Sequence, residues 1–201
     1  MITNAEEAVY EEKKAEASDV YFLMDRFGYA RLIDTSTFDR NTDSLNEENR
    51  FIVKCKSDGR ICLFTDSGML HTIKVGDLPM TKLRDKGIPI DNISKYDSTK
   101  EAVIYAASQS DLNLYRLIFI TETSMAKVVD GGEFDVSKYT ILASKIKDGD
   151  KIVSVMAMTD ITDIVIKSEN GYFLRMSMDQ IPQQKKNAAG VRAMKLAEKD
   201  K

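Results

Sequence analysis

The chain has 201 residues, of which 43% are hydrophobic and 30% charged, and its formal net charge is −3. That is an ordinary soluble composition, long enough for one good-sized core or a small array of units. No apolar run approaches bilayer-spanning length, and the N-terminus MITNAEEAVYEEKK has no signal-peptide apolar stretch, so the expected compartment is the cytoplasm, without a membrane partner. The charge is uneven: Glu6, Glu7, Glu11, Glu12 and Glu16 outweigh Lys13 and Lys14, which leaves residues 18–201 neutral with 27 basic and 27 acidic side chains. A nucleic-acid reading must therefore rest on where the cations cluster. Cys55 and Cys62, with His71 nearby, are too few and too widely spaced for a zinc site, and no metal is expected.

Residues 1–17 are rich in Ala, Glu and Lys without Gly or Pro, which predicts a short N-terminal helix acting as a linker. From residue 18 on, short apolar runs bounded by turn residues argue for strands: 20–24, 51–55, 60–64, 102–107, 114–120, 151–158 and 163–166. Few segments sustain a helical period, so the body reads as all-β.

Four of these runs feed equivalent turns, at Gly28, Gly68, Ser124 and Gly171, which are 40, 56 and 47 residues apart. Glycine is what a hairpin turn with positive φ prefers. Each turn residue is followed by Tyr or Met (Tyr29, Met69, Met125, Tyr172), and three or four places on by Arg31, His71, Lys127 or Arg175. Ten places on stands an apolar residue, Phe38, Leu78, Phe134 or Ile181, and two copies add Pro79 and Pro182. Four copies in phase make a repeat of propeller-like period. The copies divide the chain at about 18–57, 58–110, 111–160 and 161–201. A single hairpin cannot bury its two faces alone, so stacking around an axis is the expected solution.

Of the connections, 39–50 is polar and glycine-free, 82–101 opens with Lys82, Arg84 and Lys86 before Gly87, and the fourth copy ends in the basic stretch QKKNAAG at 184–190. In earlier copies another strand starts 23 to 34 residues after the turn, at residues 51, 102 and 151. The fourth copy meets residue 201 at about that distance, so the array reads as cut short, a fragment of a larger protein.

The motifs FGYAR at 27–31 and NGYFLR at 170–175, with the later AGVR at 189–192 and KGI at 86–88, resemble the repeat of the C-terminal domain found in the A subunits of bacterial type IIA topoisomerases, the family of DNA gyrase and topoisomerase IV. The resemblance covers about residues 18–198. It implies a β-pinwheel, a propeller-like disc of about four repeats here in which blades exchange a strand, with double-stranded DNA bound around a basic rim. It implies a catalytic tyrosine, ATP and Mg elsewhere in the parent enzyme and no cofactor in this fragment. The implied partners, at the chromosome, are DNA, the remaining parts of the A polypeptide, and the B polypeptide of an A2B2 enzyme. The gyrase heptapeptide Gln-Arg-Arg-Gly-Gly-Lys-Gly has no counterpart after the first turn. Its nearest echo is the stretch at 184–190, which favours a topoisomerase IV-like or divergent domain over strong wrapping.

Backbone recognition of DNA needs cations spaced along one surface, because affinity comes largely from phosphate neutralisation and counterion release. Repeat-equivalent residues share a rim, which nominates Arg31, Lys127 and Arg175, with His71 a weaker fourth. Two loops add Lys82, Arg84 and Lys86, and Lys185, Lys186, Arg192 and Lys195. Tyr29, Tyr172, Met69 and Met125 are expected to pack in the core or turns rather than stack on bases. No phosphate loop, nucleophile elbow or metalloprotease motif appears, which leaves a non-catalytic DNA-binding domain, with a propeller for protein contacts as the alternative.

Overall fold

A computed structural model of the chain describes residues 16–201; residues 1–15, and with them most of the helix expected over 1–17, lie outside the described residues. The first repeat is a hairpin of β1 (Asp19–Asp25) and β2 (Tyr29–Asp34), two short helices α1 (Thr35–Arg40) and α2 (Thr42–Glu48), and β3 (Asn49–Lys56), which returns beside β1. The second is the hairpin β4 (Arg60–Thr65) and β5 (Met69–Lys74), a connection containing β6 (Ile88–Pro89), and β7 (Val103–Ser108) beside β4. After the one-turn helix α3 (Gln109–Leu112), the third repeats the plan with β8 (Arg116–Thr121), β9 (Met125–Asp130), β10 (Thr140–Leu142) and β11 (Ile152–Met158). The fourth has the hairpin β12 (Asp163–Lys167) and β13 (Phe173–Ser177), followed by β14 (Val191–Arg192).

The short strands β6, β10 and β14 do not join their own repeat. Each pairs antiparallel with the second hairpin strand of the repeat before it: β6 with β2, β10 with β5, β14 with β9. The result is three four-stranded sheets, ordered β3-β1-β2-β6, β7-β4-β5-β10 and β11-β8-β9-β14, and a two-stranded sheet β12-β13. This is the strand-exchanging pinwheel, all-β in its body, and the exchange ties consecutive repeats together.

The apolar runs of the hairpin strands in the first three sheets are continuous rather than alternating because those strands bury both faces. In β4, Ile61 and Leu63 pack toward the first sheet while Cys62 and Phe64 pack toward the third. In β8, Leu117 and Phe119 face the second sheet while Ile118 and Ile120 face the fourth. Successive side chains of a strand point to opposite faces, so one strand serves two inter-sheet cores. Cys55 and Cys62 are buried free thiols within these cores.

The stretch 39–50, read from sequence as a polar connection, mostly lies in α1 and α2 instead. Asp34 caps α1, accepting from the Thr37 amide at 2.8 Å and from the hydroxyls of Ser36 and Thr37, both at 2.6 Å. Phe38 and Leu45 then bury against Leu23 and Ile33 and close the outer face of the first sheet. Gly28, Gly68, Ser124 and Gly171 all adopt positive φ, 84°, 83°, 61° and 87°, as the repeat alignment expects. The tenth-place residues Phe38, Leu78, Phe134 and Ile181 are all buried.

Candidate nucleic-acid interface

Each lent connection meets the preceding hairpin at the same three points. The carbonyl of the turn residue accepts from the incoming strand: Ile90 N–H to Gly28 O at 2.9 Å, Ala143 N–H to Gly68 O at 2.8 Å, Ala193 N–H to Ser124 O at 2.8 Å. Four residues past the turn, the strand donates to the incoming loop: Leu32 N–H to Pro79 O, Thr72 N–H to Tyr139 O, Val128 N–H to Pro182 O. Between these contacts, three residues past the turn, a side chain clamps the loop.

In the first sheet the clamp is Arg31, whose Nη1 donates to the carbonyls of Lys82 at 3.4 Å, Leu83 at 2.9 Å and Asp85. In the third it is Lys127, whose Nζ donates to Lys186 O at 2.5 Å and Ala188 O at 2.7 Å. In the second it is His71, with Nε2 at 2.8 Å from Glu101 Oε1 and Nδ1 at 3.3 Å from Thr140 Oγ1 of the lent strand. Burial pushes the Lys127 ammonium down to about 8, only partly opposed by the nearby Glu133 carboxylate. Burial pushes Glu101 up, but the hydroxyls of Ser67 and Thr65 and the His71 ring outweigh it and hold the carboxyl below its usual value.

This geometry corrects the expectation that the repeat-equivalent cations line an exposed rim. Arg31 is 8% exposed, His71 3% and Lys127 2%. All three face inward beneath the connection that covers them: Arg31 and Lys127 spend their donors on backbone carbonyls, and His71 bonds the Glu101 and Thr140 side chains. Arg175 does not belong to the set. Ser177, six places past Gly171, caps the following turn as Asp34 and Asp130 do six places past Gly28 and Ser124. That phase puts Leu174 at the clamp position and Arg175 with Leu32, Thr72 and Val128, on the opposite face. In the first three sheets that face packs toward the next sheet. Among the described residues the fourth has none beyond it, so Arg175 is exposed and pairs with Asp163 at 3.1 Å.

The loop cations are where a phosphate could reach them. Lys82, Arg84 and Lys86 are exposed on the loop held by Arg31. Asp85 spends its carboxylate on the Lys82 amide at 3.0 Å, inside that loop. Lys185, Arg192 and Lys195 are exposed on the fourth repeat's connection, with Lys185 3.4 Å from Glu133. Lys186 is half-buried and turned inward, its Nζ donating to Glu133 O at 2.9 Å. Two glycines permit the close approach: a Cβ on Gly87 would sit 2.0 Å from Ala30 O, and one on Gly190 2.7 Å from Ala126 O.

Sequence reasoning missed Lys145 and Lys147, both exposed just after β10. The Lys145 amide lies 3.4 Å from Lys186 O, so the connections of the third and fourth repeats run side by side. The signal was the alternation Lys145-Ile146-Lys147, which matches Lys82-Leu83-Arg84. Tyr172 and Phe173, where packing was expected for the tyrosine, are 63% and 67% exposed; among the described residues no lent strand pairs with β13. Among the described residues no group of His, Cys, Asp and Glu could hold a metal ion, and no helix is long and apolar enough to cross a membrane.

The family model described as "DNA gyrase C-terminal domain, beta-propeller" matches residues 115–157 and 162–201, the third and fourth repeats. Among curated relatives, the A polypeptide of DNA topoisomerase 4 from Streptococcus pneumoniae serotype 4 is 24% identical over 192 residues, covering 90% of this chain and 23% of the relative. The A polypeptide of DNA gyrase from the same organism is 25% identical over 184 residues, covering 85% of this chain and 22% of the relative. The chain thus spans less than a quarter of the length of either. Among solved structures, the C-terminal domain of DNA topoisomerase IV superposes with a TM-score of 0.81 at 22% identity, covering 93% of this chain and 60% of that one. The E. coli ParC C-terminal domain follows at 0.72 and 15% identity, covering 89% of this chain and 72% of that one. The DNA gyrase A C-terminal domain superposes at 0.58 and 14% identity, with 91% and 62% covered. These likenesses establish the fold.

Proposed function

We propose that the chain is a member of the family its third and fourth repeats match, the C-terminal domains of the gyrase and topoisomerase IV A polypeptides, and that it is a non-catalytic module that binds duplex DNA through its backbone, with little regard to sequence, and bends it toward a strand-passage site. The observation that carries this reading is the placement of the exposed cations. Lys82, Arg84 and Lys86 in one lent loop, and Lys185, Arg192 and Lys195 in the equivalent connection two sheets on, are displayed on backbone fixed from below. Lys145, Lys147 and Arg175 extend the set. Cations held at repeated places on a ring suit a polyanion whose phosphates recur along a curve.

The neutral balance of residues 18–201, and the carboxylate of Glu133 beside Lys185, argue for bending rather than tight wrapping. In this reading the whole protein is the A polypeptide of an ATP-dependent type II topoisomerase, working with its B polypeptide on the chromosome in the cytoplasm, and its catalytic tyrosine, ATP and Mg lie outside this chain. The test is fluorescence anisotropy with two duplexes of unrelated sequence. Binding of both at low salt, with affinities within about threefold of each other, fits backbone recognition. Absence of binding at low salt would contradict it.

A further inference from the structure

Arg31 and Lys127 are costly residues, since a cation taken from water into a sheet must be repaid by its partners. A neutral donor could satisfy the same carbonyls. At the equivalent place the second sheet has His71, which bonds the side chains of Glu101 and Thr140 rather than loop carbonyls, and the loop lent to that sheet carries only Lys138 ahead of its lent strand. The two sheets with a cationic clamp are the two whose lent loops are dense in cations, Lys82 with Arg84 and Lys86, and Lys185 with Lys186.

We infer that Arg31 and Lys127 are positioning residues for DNA: by binding the inward carbonyls of the loop lent to their sheet, they hold its outward cations at a fixed height over the rim. The inference rests on the DNA-binding reading above and adds to it the residues that set the geometry of the contact. Lys127 is the more central clamp. Lys186, whose carbonyl it holds, also accepts from the Lys145 amide, so one buried ammonium aligns cations from two repeats. A loop freed of its clamp keeps its charges but must be ordered when DNA binds, and that ordering weakens the complex.

A double-mutant cycle read by anisotropy tests this. Lys127→Met lowers duplex affinity roughly tenfold, although its side chain is too buried to touch a phosphate; the loss is on the scale of one charge-assisted contact. In a Lys145→Gln/Lys185→Gln background the same substitution costs less than about twofold, because the cations it positioned are gone. Lys127→Arg restores binding. The inference is overturned if folded Lys127→Met binds as the unaltered chain does, or if it loses equally in both backgrounds, as a general loss of stability would make it do. Should Lys127→Met not fold by circular dichroism, Arg31→Lys, which keeps a buried cation but not its three-carbonyl reach, is combined with Lys82→Gln/Arg84→Gln in the same cycle and judged by the same outcomes. An unaltered chain that binds no duplex at low salt removes the DNA reading itself, a result separable from failure of the cycle.

Discussion

Glu101 is the point where the second sheet is most easily broken. Its Oε1 pairs with His71 Nε2 at 2.8 Å, and its Oε2 accepts from the hydroxyls of Thr65 and Ser67, both at 2.6 Å. The two paired side chains are 3% and 9% exposed, so water cannot replace a missing partner. Glu101→Ala leaves the imidazole and two hydroxyls in a dry site. Removing one member of a buried pair costs roughly 3–5 kcal/mol. Part is recovered because Thr65 and Ser67 lie 2.9 Å apart and can bond each other. A net loss of about 3 kcal/mol follows, or a fall in Tm of about 6–12 °C for a chain of this size. Glu101→Gln keeps an acceptor and a similar shape and loses about half as much. The sign with pH is also fixed. The folded carboxyl is held below its usual value of 4.5, so its stabilisation is complete above that value and disappears as pH falls through the folded value. Urea unfolding of the unaltered chain and of Glu101→Ala, from about pH 7 to about pH 3, should show the gap between them closing on acidification. A cost below about 1 kcal/mol at neutral pH, or a gap that does not change with acid, would refute the reasoning.

Gly87→Ala drives a methyl into the Ala30 carbonyl and should cost about 1–3 kcal/mol while lowering duplex affinity; Gly28→Ala, with open space but φ of 84°, should cost about 1 kcal/mol and leave binding intact. Thermal melts and anisotropy on the pair check both halves. The Lys127 ammonium titrates at about 8 in the folded chain against 10.5 in the open, so the folded chain sheds that proton first and its stability relative to Lys127→Met should grow as pH rises between those values. The gain is bounded at about 3 kcal/mol, and a difference flat with pH would show that the buried charge is not strained. Arg175→Ala, which removes only an exposed ion pair with Asp163, should change stability by less than about 0.5 kcal/mol in the same melts.

The repeat was legible in the sequence because its marks are local. A turn that needs positive φ selects Gly at 28, 68 and 171, and the apolar side chain ten places on is demanded by burial, between sheets for Leu78, Phe134 and Ile181 and on the outer face of the first sheet for Phe38. Ser124 departs from glycine for a reason the sequence does not carry: its Oγ accepts from the Met194 amide at 2.9 Å, seventy residues away. The carbonyls of Pro79 and Pro182 receive the Leu32 and Val128 amides, a place that Tyr139 fills in the second sheet, so the contact recurs where the proline does not. The clamps were misread because a cation on a strand and a cation beneath a lent loop look alike until the loop is placed, and that loop comes from the next repeat. Arg175 was misassigned by one residue, which in a strand is a change of face. The helices α1 and α2 were written in the capping residue Asp34 and the apolar Phe38 and Leu45, seven apart, but the polar stretch between hid them.

The central claim is that the lent loops, held from beneath, contact DNA phosphates. Its most direct measurement is the slope of log affinity against log salt for the unaltered chain and for Lys82→Gln/Arg84→Gln/Lys86→Gln. The account predicts a linear fall for both, with a slope shallower by about 2 to 3 in the variant, close to one per phosphate contact removed. Equal slopes for the two proteins would contradict it.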